Sequence, residues 1–224
     1  MYPSRFRYEA PHSLDEARAL LTEHGDEAKV LAGGQSLVPL LKLRFAAPEL
    51  LVDINGIPGL GHHRVEGGAL HIGALCRHVD LERSTGLAAH PLVASAAPLI
   101  ADPIVRNRGT LVGSLCHSDP QGDWASVMLA LGGHVVAEGP NGRRTIPMSE
   151  FCTGPFQNAL RPGEIAAEAV APATQGQVSG TYLKLERRVG DFATAGVAVA
   201  VESANGRVVR AGIALTGVGP NNIA

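Results

Sequence analysis

Aromatic residues make up only 4% of the 224-residue sequence, which has three lysines, three cysteines and a single tryptophan. Each scarcity narrows the function. With so few aromatics the core must rest on Leu, Val, Ile and Ala. The net charge is −2, with no basic run, and the arginines are scattered among acids. The concentrated positive stripe of a nucleic-acid-binding face is therefore missing. Cys76, Cys116 and Cys152 lie far apart with no C-x-x-C spacing. That argues against a structural zinc or an iron–sulfur cluster held by this chain alone. An odd, sparse set of thiols also fits a reducing compartment better than a disulfide scaffold. The opening Met1–Phe6 has no apolar signal core, and no uninterrupted apolar run approaches a membrane span. The expectation is a cytoplasmic protein without a membrane span.

Common signatures are missing as well. The chain has no G-x-G-x-x-G after a strand, no G-x-x-x-x-G-K-[ST], no H-E-x-x-H and no G-x-S-x-G. The histidines are isolated or, like His62-His63, sit in a Gly-rich turn, and read as solvated or singly hydrogen-bonded.

What is present is ordinary globular composition, 45% apolar and 18% charged. Ser13-Leu14-Asp15-Glu16 reads as a capping box before a helix carrying Ala17, Leu20 and Leu21, with Gly25 as its stop. A short strand at 29–32 breaks at Gly33-Gly34, a helix follows from about Leu37 to Phe45, and Leu50–Ile54 is a second strand. This opening unit ends near Pro58. Beyond it, Gly67-Gly68 and Asn141-Gly142 mark hairpins, and helices are expected near 79–84, 92–99 and 124–131. The stretch from Arg108 to Asp123 reads as Gly-rich and irregular. A Pro- and Gly-punctuated segment, 171–180, looks like a boundary, and three strands follow as an antiparallel meander to Ala224. Three such strands without a covering layer leave an apolar face open, so a partner covers this end or the sequence is a truncated form.

Two Gly-rich loops carry the chemistry. Ala32-Gly33-Gly34-Gln35-Ser36 lies between a strand and a helix, where paired glycines let amides converge on an anion. The alternative is an ordinary tight turn. The second, Gly109 to Pro120 and on to Asp123, is dense in small residues and hydroxyls, with acids but no lysine. It can wrap a pyrophosphate while an acid accepts from a sugar hydroxyl, or it is a surface loop with Asp123 capping the next helix.

Taken in order, Ala32–Ser36, Ile100-Ala101-Asp102-Pro103, Arg106–Thr110, Gly113-Ser114, Cys116–Pro120, Tyr182-Leu183-Lys184, Arg187-Arg188 and Asp191-Phe192-Ala193 carry a family resemblance. The sequence resembles the FAD-binding medium subunits of aerobic carbon monoxide dehydrogenases and related xanthine dehydrogenase-type molybdenum hydroxylases. The resemblance implies an α+β fold of the p-cresol methylhydroxylase or vanillyl-alcohol oxidase kind. An FAD-binding domain would cover 1–176, in subdomains of about 1–58 and 59–176, and an incomplete C-terminal domain would cover 177–224. It also implies that the turns Ala32, Gly33, Gly34, Gln35, Ser36, Leu37 and Thr110, Val112, Gly113, Ser114 hold the FAD pyrophosphate. Asp123 would take a sugar-chain hydroxyl, Ala101 and Ala166 would make backbone or apolar contacts, and Lys184 would sit near the flavin ring. A surface strand lysine is the other reading of Lys184.

Many relatives have two glycines where Val112-Gly113 stands, so Val112 either presses on the cofactor or faces away. Relatives also continue well past Pro220. The implied role is electron transfer. An iron–sulfur small subunit would deliver electrons from a molybdenum-cofactor large subunit in a hetero-oligomer, and FAD here would pass them to a terminal acceptor. No residue of this chain is named as catalytic. Two rivals are a stand-alone flavoprotein reductase on the same fold and a non-enzymatic scaffold that has lost FAD.

Overall fold

The computed structural model describes residues 2–224; Met1, the first residue of the opening read above, lies outside them. The chain begins with β1 (Arg7–Glu9), α1 (Leu14–His24), β2 (Ala28–Leu31), α2 (Leu37–Leu43) and β3 (Leu50–Asp53). These strands form a parallel sheet in the order β1-β3-β2. At the start of α1 the Ser13 hydroxyl accepts from the Glu16 amide at 3.2 Å, and the Glu16 carboxylate reaches back to the His12 amide at 2.8 Å. The box thus closes one residue earlier than the usual pattern. α1 buries Ala17 and Leu21 and turns out through Gly25.

Next come β4 (His63–Glu66), β5 (Ala69–Gly73), α3 (His78–Glu82), α4 (Pro91–Ala96), α5 (Pro103–Arg106), α6 (Leu111–His117), α7 (Asp123–Ala130), β6 (His134–Gly139) and β7 (Gly142–Pro147). After α8 (Met148–Phe151) and a small ribbon of β8 (Cys152–Gly154) and β9 (Gln157–Asn158), β10 (Ile165–Ala171) completes the unit. The antiparallel order is β4-β5-β10-β6-β7, so the last strand in sequence lies in the middle of the sheet. All seven of its residues are buried. The sequence carries no strand signal at β10, because an Ala-rich run without apolar/polar alternation has little strand propensity. Its central position, paired on both edges, supplies what propensity does not. Its one carboxylate, Glu168, lies 2.9 Å from His62 Nε2, while His62 Nδ1 lies 2.8 Å from the Gly59 carbonyl. His62 therefore has two partners rather than one, and it ties the entry of this unit to its central strand.

The irregular stretch expected from Arg108 to Asp123 contains the seven-residue helix α6. Thr110 caps it, its hydroxyl accepting from the Gly113 amide at 3.0 Å, and burial of Leu111, Val112 and Leu115 offsets the helical cost of Gly113. The following helix starts at Asp123 with Gly122, not Asp123, as its cap.

β11 (Gln177–Leu185), β12 (Ala195–Ala204) and β13 (Arg207–Thr216) form the expected meander. One face packs on α4 and α7. The other carries cross-strand rows Leu183–Val197–Leu215 and Thr181–Val199–Ile213, with Leu183 62% and Ile213 58% exposed. This is the open apolar face that the three-strand pattern foretold. Docking on α7 brings backbone to backbone: a Cβ at Gly212 would lie 1.9 Å from the Ala130 carbonyl oxygen. Gly212→Ala must force that seam apart, and we expect a loss of about 1–3 kcal/mol in urea unfolding, the range of overpacking changes. An unchanged midpoint would show that the seam is not held this tightly.

Candidate functional site

The two Gly-rich loops, far apart in sequence, meet in space. Gly33 follows β2 and Gly109 precedes α6, and a Cβ at Gly33 would lie 2.3 Å from the Arg108 carbonyl oxygen and 2.9 Å from Gly109 Cα. Gly34 adopts a φ of 77°, which favours glycine. Beyond the contact each turn opens a helix. The amides of Gln35, Ser36 and Leu37 at α2, and of Val112 at α6, have no backbone partner among the described residues. The Ser36 hydroxyl makes no capping bond. Unpaired amides, a free hydroxyl and no carboxylate in either turn make a donor set that fits a pyrophosphate. Val112 is 2% exposed and packs in the core. That burial fits the reading in which its side chain faces away from the turn.

The other expected residues lie on neighbouring elements. Ala101 takes a φ of 45°, and the Arg106 guanidinium donates to its carbonyl at 3.0 Å and to that of Ile100 at 2.9 Å. Arg106 is itself paired with Glu82 at 2.8 Å. Ala166 lies in β10, the strand on which α6 packs, just before a register shift at Glu168.

Asp123 and Lys184 are brought together. The Lys184 ammonium lies 3.0 Å from Asp123 Oδ2 and 3.5 Å from Glu186 Oε2, with its side chain only 2% exposed. It also donates to the Leu99 carbonyl at 3.1 Å. A solvated strand lysine is thereby ruled out. Tyr182 donates to Asp123 Oδ1 at 2.6 Å, so each carboxylate oxygen already has one donor and retains a further lone pair. Burial pushes the Asp123 carboxyl up, against the opposing pull of Lys184 and Tyr182. Burial and the neighbouring Asp123 raise the Tyr182 phenol. Ser126, Thr216 and Asn222 extend this network, with Ser126 Oγ and Thr216 Oγ1 2.5 Å apart and Asn222 donating to Ser126 at 2.6 Å.

The linear reading missed three residues. Asn55 and Arg77 join the two turns by side-chain bonds described below; neither lies in a motif, so no local signal marks them. His78 lies directly beneath the second turn, where a Cβ at Gly109 would come 2.8 Å from its Nε2. Trp124 Nε1–H donates to His78 Nδ1 at 3.1 Å, which places the ring proton on Nε2. Burial, aided by Arg106 and Arg77, pushes the His78 imidazole down to about 3.

This arrangement has counterparts among known proteins. A family described as the FAD binding domain in molybdopterin dehydrogenase matches residues 4–174. The chain belongs to that family. It is 48% identical to the carbon monoxide dehydrogenase medium chain of Hydrogenophaga pseudoflava, over 98% of this chain and 77% of the relative. It is 40% identical to the 6-hydroxypseudooxynicotine dehydrogenase complex subunit alpha of Paenarthrobacter nicotinovorans, over 100% of this chain and 76% of the relative. A solved carbon monoxide dehydrogenase from Hydrogenophaga pseudoflava, lacking the Mo-pyranopterin moiety of its cofactor, superposes with a TM-score of 0.95 at 48% identity. That match covers 100% of this chain and 78% of the solved one. The chain is thus an FAD-dependent oxidoreductase subunit of the molybdenum hydroxylase type, with the p-cresol methylhydroxylase kind of FAD fold. Its relatives are medium subunits of multi-subunit complexes. No helix among the described residues is long and apolar enough to cross a membrane.

The buried neutral His78 makes a pH prediction. Its folded value lies below the ordinary imidazole value, so the unfolded chain takes the proton first as pH falls. The stability it contributes is complete above about pH 6.5 and is lost progressively toward about 3. Between about pH 7.5 and about pH 5 we expect a loss of about 2 kcal/mol from this residue. Urea unfolding at both values should show that much less pH dependence in His78→Gln than in the parent chain. Equal dependence in the two would mean that His78 is not held neutral.

Proposed function

We propose that FAD in this chain receives electrons from iron–sulfur clusters of a small subunit and passes them to a terminal acceptor. In this reading the substrate is oxidised at a molybdenum cofactor in a large subunit. The observation that carries the proposal is the meeting of two glycine turns that present unpaired amides and no carboxylate. Bound FAD supplies the ability to take electrons singly and to pass on one or two.

The chain's own residues hold and tune. The amides from Gly33 to Leu37 with the Ser36 hydroxyl, and the turn from Thr110 to Ser114, bind the pyrophosphate. The remaining lone pairs of Asp123 take a sugar-chain hydroxyl. Ala101 and Ala166 flank the cofactor with backbone and apolar surface. Lys184 places a cation near the flavin edge where negative charge collects on reduction, and Asp123 and Glu186 temper its field. We place the domain division near residue 176, between β10 and β11. The substrate is set by the large subunit, in keeping with relatives named for carbon monoxide and for 6-hydroxypseudooxynicotine.

The test is the purified complex stripped of FAD. Substrate should still reduce the iron–sulfur clusters, while reduction of the terminal acceptor should stop and return on adding FAD. Full acceptor reduction without FAD would overturn the role. Within the chain, Lys184→Met should lower the midpoint potential of bound FAD in a redox titration, because two carboxylates then face the ring without their cation. An unchanged potential would place Lys184 away from the flavin.

A further inference from the structure

We propose that Asn55 and Arg77 act together as a brace that fixes the spacing of the two FAD-binding turns, setting FAD affinity by positioning. The inference rests on the FAD reading above and concerns residues outside both turns. Asn55 Nδ2 donates to the Ala32 carbonyl of the first turn at 2.8 Å. Arg77 Nη1 donates to the Arg108 carbonyl of the second at 2.6 Å, and Arg77 Nη2 donates to Asn55 Oδ1 at 2.5 Å. One unbroken line of hydrogen bonds therefore runs from turn to turn.

Both ends of the brace are anchored. Asp53 Oδ1 accepts from the Asn55 amide at 2.9 Å, and Tyr8 donates to Asp53 Oδ2 at 2.5 Å. These bonds hold the Asp53 carboxyl below its usual range, although burial alone would raise it. Arg77 is pinned by its amide to Asp80 at 2.9 Å. It also bridges to Thr110, and the neighbouring His78 amide donates to the Gly109 carbonyl at 3.0 Å. Arg77 thus belongs to the wall of the second turn, and Asn55 to the end of β3 beside the first.

The Arg108 carbonyl is the point of leverage. Arg77 grips it, and Gly33 lies against it so closely that no Cβ fits. The first turn joins β2 to α2 and the second joins α5 to α6, and no backbone hydrogen bond joins residues 32–37 to 108–114 among the described residues. Side chains must therefore set their separation. A guanidinium suits this because its planar fork reaches two acceptors at once, whereas an ammonium is a single point charge.

The experiment measures FAD affinity of the deflavinated full chain by quenching of flavin fluorescence, with circular dichroism confirming the fold. Asn55→Ala and Arg77→Met should each weaken binding on the order of tenfold, and the double variant should bind no more weakly than the worse single, since either change breaks the same line. Arg77→Lys keeps the charge, loses the fork, and should bind as poorly as Arg77→Met. Multiplicative losses in the double variant, or parental affinity in Arg77→Lys, would overturn the brace. If Arg77→Met does not fold, Arg77→Lys alone decides by the same criterion. A parent chain that binds no FAD would instead refute the reading on which the brace rests.

Discussion

Everything at the site depends on a contact between two stretches of bare backbone, Gly33 against Arg108 and Gly109. At that approach no side chain fits on Gly33, and a Cβ on Gly109 would strike His78. The contact has no strong attraction of its own. It is spanned by side chains, Asn55 bonded to the Ala32 carbonyl and Arg77 to the Arg108 carbonyl. Once the backbones touch, unpaired amides from two helices face one region, and a diphosphate is the kind of ligand that satisfies such donors.

The buried and half-buried polar groups of the chain's interior are of two kinds. Asn55, Arg77 and Arg106 hold carbonyls and so shape turns. Asp123, Lys184, Tyr182 and Glu186 bring ionisable groups together under low exposure and join the C-terminal sheet to α7. Removing one member of a buried ion pair commonly costs about 3–5 kcal/mol, because the partner is left charged and desolvated. Lys184 therefore has a structural duty whatever it does for the flavin. The same network explains how the meander stays docked while its far face is exposed: the near face is fastened by both apolar contacts and a dense set of hydrogen bonds.

Much was legible in the residues alone. Ser13 and Glu16 announced a helix start, Gly67-Gly68 and Asn141-Gly142 announced hairpins, and the ordered run of motifs from Ala32 to Ala193 announced the family. Such signals are local, and capping and turn chemistry act over a few residues. Less was legible where a tertiary effect overrode local preference. α6 forms through Gly113 because its neighbours are buried. β10 is a strand because partners pair both its edges. Gly122 caps α7 because the carboxylate of Asp123 is taken by Tyr182 and Lys184, which lie about sixty residues further on.

By itself, then, the sequence determined the elements marked by caps and hairpin turns, the two glycine turns and the kind of cofactor they suit. Only the tertiary structure decided that the turns touch, that Val112 faces the core, that Lys184 is buried between two carboxylates, and that Asn55 and Arg77 span the gap. The reason is physical. Backbone preference is written in neighbouring residues, whereas burial and charge pairing depend on which distant surfaces pack together.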